Sequence, residues 1–347
     1  ATIDCLKTLG ANIQIDGSTV KCGGLDFTNK ISSSLFCNES GSTLRFMIPL
    51  CLLFGQDIVL SGSERLFSRS LAVYEKIALE QNFKFECNND NVLVNGILKS
   101  GEYKVRGDIS SQFISGLMFA LPLLKGDSVI KIEGEFESKS YILLTLNALK
   151  DFGIDITFNN NEIFIKGNQT YNSGTFTVEG DYSNAAFFDA LAVLGADVKV
   201  TGLKKDSLQG DSVYKDYFCK LNAGIPTLDI SDCPDLGPIL MAVAAARNGA
   251  VFTGTKRLKI KESDRGNAMK EELLKFGCSV IVEENRITIP KCELIKPTSV
   301  IGGHNDHRIV MAMAVLLTLT GGEIDGVEAV SKSYPDFFEV LWSLKEM

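Results

Sequence analysis

Two histidines, one tryptophan and eight prolines are all that the 347 residues carry of those types. With only His304 and His307 available, and no C-x-x-C pair among nine scattered cysteines, neither a zinc site nor a disulfide scaffold has the spacing it needs. Reduced, mostly buried thiols in a cytoplasmic protein are expected instead. Few prolines, beside 31 glycines and 45% apolar residues, exclude a disordered chain. The longest apolar stretch, Ile309–Leu317 with its flanks, falls short of the roughly 18 residues a membrane span needs. No basic-then-apolar leader opens the sequence. There is no surplus of positive charge either: 35 Lys and Arg against 43 Asp and Glu leave a net charge of −8. Neither nucleic acid nor a membrane surface is therefore expected as a partner.

What the sequence has in quantity is repetition. At roughly 100–200 residues per domain its length suggests two domains, and one pattern runs through both. An amphipathic helix ends on a Gly stop, and two short strands follow around a polar turn. The pattern is read at Ile3–Gly10 with Ala11–Cys22, at Leu146–Gly153 with Ile154–Lys166, and at Glu271–Gly277 with Cys278–Ile289. Val73–Phe83 with Lys84–Asn95 puts Asn82 and Phe83 in place of the stop, and Asp216–Gly224 is a shortened copy. The turns are rich in Asn, Asp and Gly, as hairpin connections require. A spacing of about 70 residues marks tandem supersecondary repeats of an α/β protein. The first copy starts mid-unit and the last helix, Phe337–Met347, has no hairpin after it; by this count another half to one unit is expected before Ala1.

The polar residues gather where helices are expected to begin. Glu39–Arg45 precedes the apolar helix Phe46–Phe54, and Gly107–Gln112 precedes Phe113–Leu124. Ser138–Tyr141 opens Ile142–Phe152, Lys261–Arg265 opens Gly266–Phe276, and Asn305–Arg308 opens Ile309–Leu319. A helix start offers free N–H groups and about half a positive charge, which suits an anion. Capping accounts for Ser110 and Asp306 but not for Arg45, Arg69, Lys261, Arg265 and Arg308 close by. Arg265, His307 and Arg308 in a first turn carry an electrostatic cost unless an anion lies opposite. In an acidic chain, that concentration points to a focused site for a small, highly charged acid, which the arginine fork suits. Taken singly the residues allow plainer readings: Arg69 as a surface charge, His307 as a capping histidine, Glu262 as a solvated ion pair, Asp235 as a turn or N-cap residue.

Eight segments in order make the pattern specific. They are Ser40–Arg45, Ser110–Phe113, Ser138–Tyr141, Glu179–Asp181, Gln209–Asp211, Lys261–Arg265, Asn305–Arg308 and Lys332–Asp336. Together they resemble the 5-enolpyruvylshikimate-3-phosphate synthase family over Ala1 to Met347. The resemblance implies a two-domain inside-out α/β barrel of tandem repeats, the enolpyruvyl transferase fold, with the first repeat incomplete. Domains at 1–180 and 181–347 are expected, with helix N-termini facing the cleft between them. The implied reaction transfers the carboxyvinyl group of phosphoenolpyruvate to the 5-hydroxyl of shikimate 3-phosphate, in a cytoplasmic monomer needing no metal or redox cofactor.

By motif position the resemblance gives shikimate 3-phosphate to Ser110, Ser111, Ser138, Tyr141 and Lys261, with Gln112 lying between the two ligands. It gives phosphoenolpyruvate to Gly41, Arg69, Arg265, Arg308 and Lys332. Asp235 is placed to accept the 5-hydroxyl proton, and Glu262 to protonate and later deprotonate the methylene carbon. Arg45 orients the Gly41 loop, and His307 is placed to tune Glu262. A carboxyl that donates a proton near neutrality needs a raised pKa, whereas surrounding cations lower it; the sequence leaves that balance open. The family's N-terminal Lys-Ser…Arg motif is absent, and on that ground severe impairment of this chain is expected. Arg257 stands where many relatives carry Asn. The alternatives are UDP-N-acetylglucosamine enolpyruvyl transferase, which the Ser110–Phe113 and Asn305–Arg308 motifs disfavour, RNA 3′-phosphate cyclase, whose nucleotide chemistry calls for a more basic surface, and a non-catalytic anion-binding fragment.

Overall fold

The computed structural model describes residues 1–26 and 34–344. The chain divides into two compact units, Ala1–Thr175 and Phe176–Met347. The first begins with helix α1 (Thr2–Thr8) and a hairpin, β1 (Ile13–Asp16) and β2 (Thr19–Cys22). Two copies of one motif follow. The first copy runs β3 (Ser34–Phe36), α2 (Gly41–Cys51), β4 (Ile58–Ser61), α3 (Glu64–Phe67), α4 (Ala72–Gln81), β5 (Lys84–Cys87) and β6 (Asn91–Asn95). The second runs β7 (Glu102–Arg106), α5 (Ser111–Ala120), β8 (Ser128–Glu133), α6 (Lys139–Asp151), β9 (Ile156–Asn159) and β10 (Glu162–Ile165).

The second unit starts with α7 (Tyr182–Val193) and α8 (Tyr214–Ala223) and then repeats the motif. Its copy is β11 (Thr227–Asp229), α9 (Gly237–Ala246), β12 (Ala250–Thr253), α10 (Arg265–Lys275), β13 (Ile281–Val282) and β14 (Arg286–Ile289). Helices α11 (His307–Thr320) and α12 (Phe337–Ser343) complete it; residues 345–347 of the expected last helix lie outside the described residues. The three four-stranded sheets share one order, β3-β4-β6-β5, β7-β8-β10-β9 and β11-β12-β14-β13. In each, the first two strands are parallel and the other pairs antiparallel.

The core lies on the helices. Helices α2, α5, α9 and α11 are buried over most of their residues, as their nearly continuous apolar sequences require. Strands such as β7 and β8 bury alternate residues, so each sheet turns one face inward and covers the helices. The helix stops are as expected: Gly10, Gly153 and Gly277 all have positive φ, and Asn82 takes the left-handed conformation at φ 58° in their place. No described helix is long and apolar enough to cross a membrane.

Two expectations are corrected. The helices start one to five residues earlier than the apolar pattern suggests, so the C-terminal residues of each polar segment lie in the first turn. Helices begin at Gly41, Ser111, Lys139, Arg265 and His307, because the side chains of Ser40, Ser110, Asp264 and Asp306 cap backbone N–H groups earlier than the apolar pattern suggests. The cysteines are not all reduced: Cys278 and Cys292 are joined in a disulfide. They flank the β13–β14 pairing, Cys278 ahead of β13 and Cys292 just past β14, a proximity no C-x-x-C spacing reveals. Of the seven free cysteines, Cys22, Cys87 and Cys219 are exposed.

Candidate functional site

In the first unit two arginines converge on Gly41. A Cβ there would lie 2.8 Å from Nη1 of Arg45 and 2.9 Å from Nη1 of Arg69, so the absence of a side chain lets both guanidinium groups reach the start of α2. Arg45, 3% exposed, donates from Nη1 to Gln112 Oε1 at 2.9 Å and to the Gly41 carbonyl at 3.4 Å. Its guanidinium also lies 4.9 Å above the Phe113 ring.

The backbone of Arg45 is fixed by a less obvious device. Pro49 sits inside α2 and has no N–H for the carbonyl four residues back. That carbonyl is Arg45's, and the Tyr74 hydroxyl donates to it at 2.6 Å. A Cβ at Gly116 of α5 would come within 2.5 Å of the same oxygen, so glycine is needed for α2 and α5 to pack this closely. The gap left by proline, the tyrosine hydroxyl and the glycine together hold the Arg45 backbone.

Of the proposed acceptor residues, Ser110 caps α5 by accepting from Gln112 N at 3.3 Å, and Ser111 is buried. Ser138 is fully buried and left-handed at φ 55°, with Tyr141 half-buried one turn into α6. A serine held at positive φ is a strained position of the kind that clusters at binding sites.

The second unit holds a buried charge network centred on Arg265, 1% exposed and first residue of α10. Its Nε donates to Asp306 Oδ2 at 2.9 Å, Nη1 to Asp235 Oδ1 at 2.7 Å, and Nη2 to Glu262 Oε2 at 2.7 Å. Lys261 Nζ lies 3.1 Å from Asp235 Oδ1, and Arg308 Nη2 lies 4.0 Å from Asp235 Oδ2. The Ser263 hydroxyl donates to Asp306 Oδ2 at 2.9 Å, and Asp306 Oδ1 accepts from Arg308 N at 2.9 Å. Exposed Lys332 donates from Nζ to both oxygens of Asn305 at 2.7 Å. The expected cost of a cation in the first turn of α10 is thus met within the protein: three carboxylates, not an external anion, answer Arg265.

These contacts set the proton affinities. Burial alone would raise the Asp235 carboxyl, but Lys261, Arg265 and Arg308 together hold it well below the usual range. Burial likewise pushes Glu262 up, and Arg265 overrides it, leaving that carboxyl low. Asp306 is held low against its own burial by Arg265. Burial lowers Lys261, and the adjacent Arg257 adds to the effect. Burial and then the Arg308 charge bring His307 down to about 4. The carboxylate beside His307 is Asp306, with Oδ1 at 3.9 Å from its Nδ1; Glu262 acts on it only as a weaker, more distant charge.

Two residues outside the expected set belong here. Asp306 was legible only as a cap, although its second oxygen anchors Arg265. Asp211, inside the Gln209–Asp211 segment, is buried, and burial together with the Asp235 charge raises it to about 6. Arg308 is 6% exposed, and its Nε and Nη1 are buried without hydrogen-bond acceptors among the described residues. Among the described residues, one group brings three potential metal ligands together, Glu271, Glu272 and His304; the Glu272 oxygens are already engaged by Lys275, His304 and Gly302 N.

Comparison with known proteins points one way. The family described as EPSP synthase (3-phosphoshikimate 1-carboxyvinyltransferase) matches residues 1–341. The 3-phosphoshikimate 1-carboxyvinyltransferase of Clostridium botulinum is 40% identical over 367 aligned residues, covering 98% of this chain and 85% of that protein. The enzyme of the same name from Clostridium beijerinckii is 41% identical, with the same shares of 98% and 85%. Among solved structures, EPSP synthase from Acinetobacter baumannii superposes with a TM-score of 0.77 over 99% of this chain and 86% of that one, at 21% identity.

Proposed function

The chain belongs to the EPSP synthase (3-phosphoshikimate 1-carboxyvinyltransferase) family, and from that membership we infer how its residues divide the work. The reaction moves the carboxyvinyl group of phosphoenolpyruvate onto the 5-hydroxyl of shikimate 3-phosphate and releases phosphate, a step of the shikimate pathway towards chorismate and the aromatic amino acids. Both substrates are small polyanions, and the chain provides buried cations for them in an otherwise acidic protein.

The observation that carries the assignment is Arg308. Two of its buried donors, Nε and Nη1, have no acceptor among the described residues. An orphaned, buried cationic donor is costly, and a bound carboxylate or phosphate satisfies it. Phosphoenolpyruvate carries both groups. We assign it to Arg308 and Arg265 with Lys332, and to Arg69 with the Gly41 backbone, which Arg45 supports. Shikimate 3-phosphate is assigned to Ser110, Ser111, Ser138, Tyr141 and Lys261, with Gln112 serving both ligands.

Asp235 and Glu262 then act as acceptor and shuttle. Both are ionised when the cations around them have no other anion to face. A phosphate and a carboxylate arriving at Arg265, Arg308 and Lys261 oppose that positive field, and the proton affinity of both carboxylates rises. Asp235 thereby becomes able to take the 5-hydroxyl proton, and Glu262 able to carry the proton that the methylene carbon gains and later loses. His307 influences Glu262 through Asp306 and Arg265. A cytoplasmic monomer binding no nucleic acid is the form assigned.

Isothermal titration tests this reading. Phosphoenolpyruvate is expected to bind far more tightly once shikimate 3-phosphate is present. Equal, weak heats with and without shikimate 3-phosphate would contradict it.

A further inference from the structure

The segment Val300–Asn305 delivers Asp306, His307 and Arg308 to the start of α11, and its backbone is unusual. His304 and Asn305 are consecutive non-glycine residues in the left-handed region, at φ 51° and 50°. Asparagine and histidine are among the side-chain-bearing residues that visit that conformation most often, but two in succession carry strain and need something to hold them there.

The hold comes from α10. Glu272 is fully buried and lies seven residues, two turns, beyond Arg265, so both project from one face of the helix. Its Oε1 meets His304 Nε2 at 2.8 Å, and its Oε2 accepts from Gly302 N at 2.8 Å. Lys275 Nζ sits 2.9 Å from Oε2 and donates to the Val300 carbonyl at 3.0 Å. A Cβ at Gly302 would stand 3.0 Å from Glu272 Oε1, which is why a glycine faces the carboxylate. One helix thus grips the segment at two places: Arg265 holds Asp306 at its end, and Glu272 holds Gly302 and His304 at its start.

We propose that Glu272 and His304 form a clasp that positions Arg308 for the donor substrate, and that His304 is a positioning residue whose side-chain contact, not its backbone conformation, sets phosphoenolpyruvate affinity. The proposal rests on the assignment of phosphoenolpyruvate to Arg308. Neither clasp residue touches substrate. The clasp fixes where the α11 start lies against Arg265, and hence where the Arg308 donors point. Shikimate 3-phosphate is assigned to other residues, so the two ligands respond differently.

Glycine separates the two possible roles of His304. His304→Gly removes the side-chain contact while adopting φ near 50° freely. Calorimetric titration of the purified chain then gives the answer. In H304G, phosphoenolpyruvate measured with shikimate 3-phosphate bound is expected to bind about tenfold more weakly. Shikimate 3-phosphate affinity and the thermal unfolding midpoint are expected to stay at the parent values. H304Q keeps a donor of similar reach and is expected to restore phosphoenolpyruvate affinity. Parent-like phosphoenolpyruvate binding in H304G overturns the clasp. So does equal weakening of both ligands with a lowered midpoint, and so does a failure of H304Q to restore affinity. Arg308→Ala is titrated alongside: if it leaves phosphoenolpyruvate affinity unchanged, the underlying assignment fails. If R308A weakens binding and H304G does not, the clasp alone fails.

Discussion

Arg265 Nε and Asp306 Oδ2 lie 2.9 Å apart with side chains 1% and 0% exposed, joining the first residue of α10 to the residue that caps α11. This one contact ties together two helix starts carrying most of the second unit's candidate chemistry. It also makes Arg265 depend on a charge inside the protein whether or not substrate is bound.

Asp306→Asn separates the cap from the charge. Asparagine caps as well as aspartate, so α11 keeps its start while Arg265 loses its most buried counter-charge. Breaking a buried ion pair from one side costs about 3–5 kcal/mol, and Arg265 retains Asp235 and Glu262. A loss towards the lower end, about 3 kcal/mol in urea unfolding, is the expected outcome. A change below about 0.5 kcal/mol, the size of an ordinary surface substitution, would show that the pair carries no stability.

Ligand binding is expected to take up protons. Asp235 and Glu262 are held low by Lys261, Arg265 and Arg308, and an anion at those cations raises both. Titration of phosphoenolpyruvate into the shikimate 3-phosphate complex, repeated in buffers of different ionisation enthalpy, measures the uptake. It is expected to be positive at pH 6 to 7 and smaller in Glu262→Gln. Net proton release would run against the mechanism.

His307 gives a stability signature in pH. Its folded pKa, about 4, lies below the ordinary value of 6.5, so folding favours the neutral ring. That contribution is present above pH 6.5 and is lost as pH falls towards 4, amounting to roughly 3 kcal/mol at 1.36 kcal/mol per unit. His307→Gln removes the titration, so the difference in unfolding midpoint between parent and variant is expected to change across that window, the parent losing ground to the variant as pH falls from 6.5 towards 4. Asp211, raised to about 6, contributes with the opposite sign between pH 4 and 6 and is unchanged in the variant. An identical pH profile in both proteins would exclude the His307 contribution.

Gly41→Ala is expected to act on binding and not on folding. The added Cβ meets the ends of Arg45 and Arg69, at 2.8 and 2.9 Å, and both are flexible side chains that give way. Phosphoenolpyruvate affinity is expected to fall by about tenfold, with the unfolding midpoint within 2 °C of the parent, a shift of roughly 0.5 kcal/mol or less. A large drop in the midpoint would mean that Gly41 serves packing.

Much of this architecture was readable in advance. The Gly and Asn stops and the Asn-rich turns marked the helices and hairpins, because left-handed conformations and tight turns demand those residues locally. Contacts between distant segments were less accessible. Nothing near Pro49 announces that Tyr74 satisfies the Arg45 carbonyl, and the Cys278–Cys292 disulfide depends on strand register. The cations at the helix starts were visible, yet their counter-charges were misjudged. Asp235, Glu262 and Asp306 meet at Arg265 only because three chain segments converge there. Glu272 lies among the charges of an amphipathic helix, and only its burial distinguishes it.

The most direct test of the account is phosphoenolpyruvate binding by Arg308→Ala, titrated with shikimate 3-phosphate already bound. Removing a charge-assisted contact of about 1.5–3 kcal/mol predicts affinity weakened by roughly 10- to 150-fold, while shikimate 3-phosphate binds as before. An R308A protein that binds phosphoenolpyruvate like the parent would contradict the assignment of its buried donors to the donor substrate.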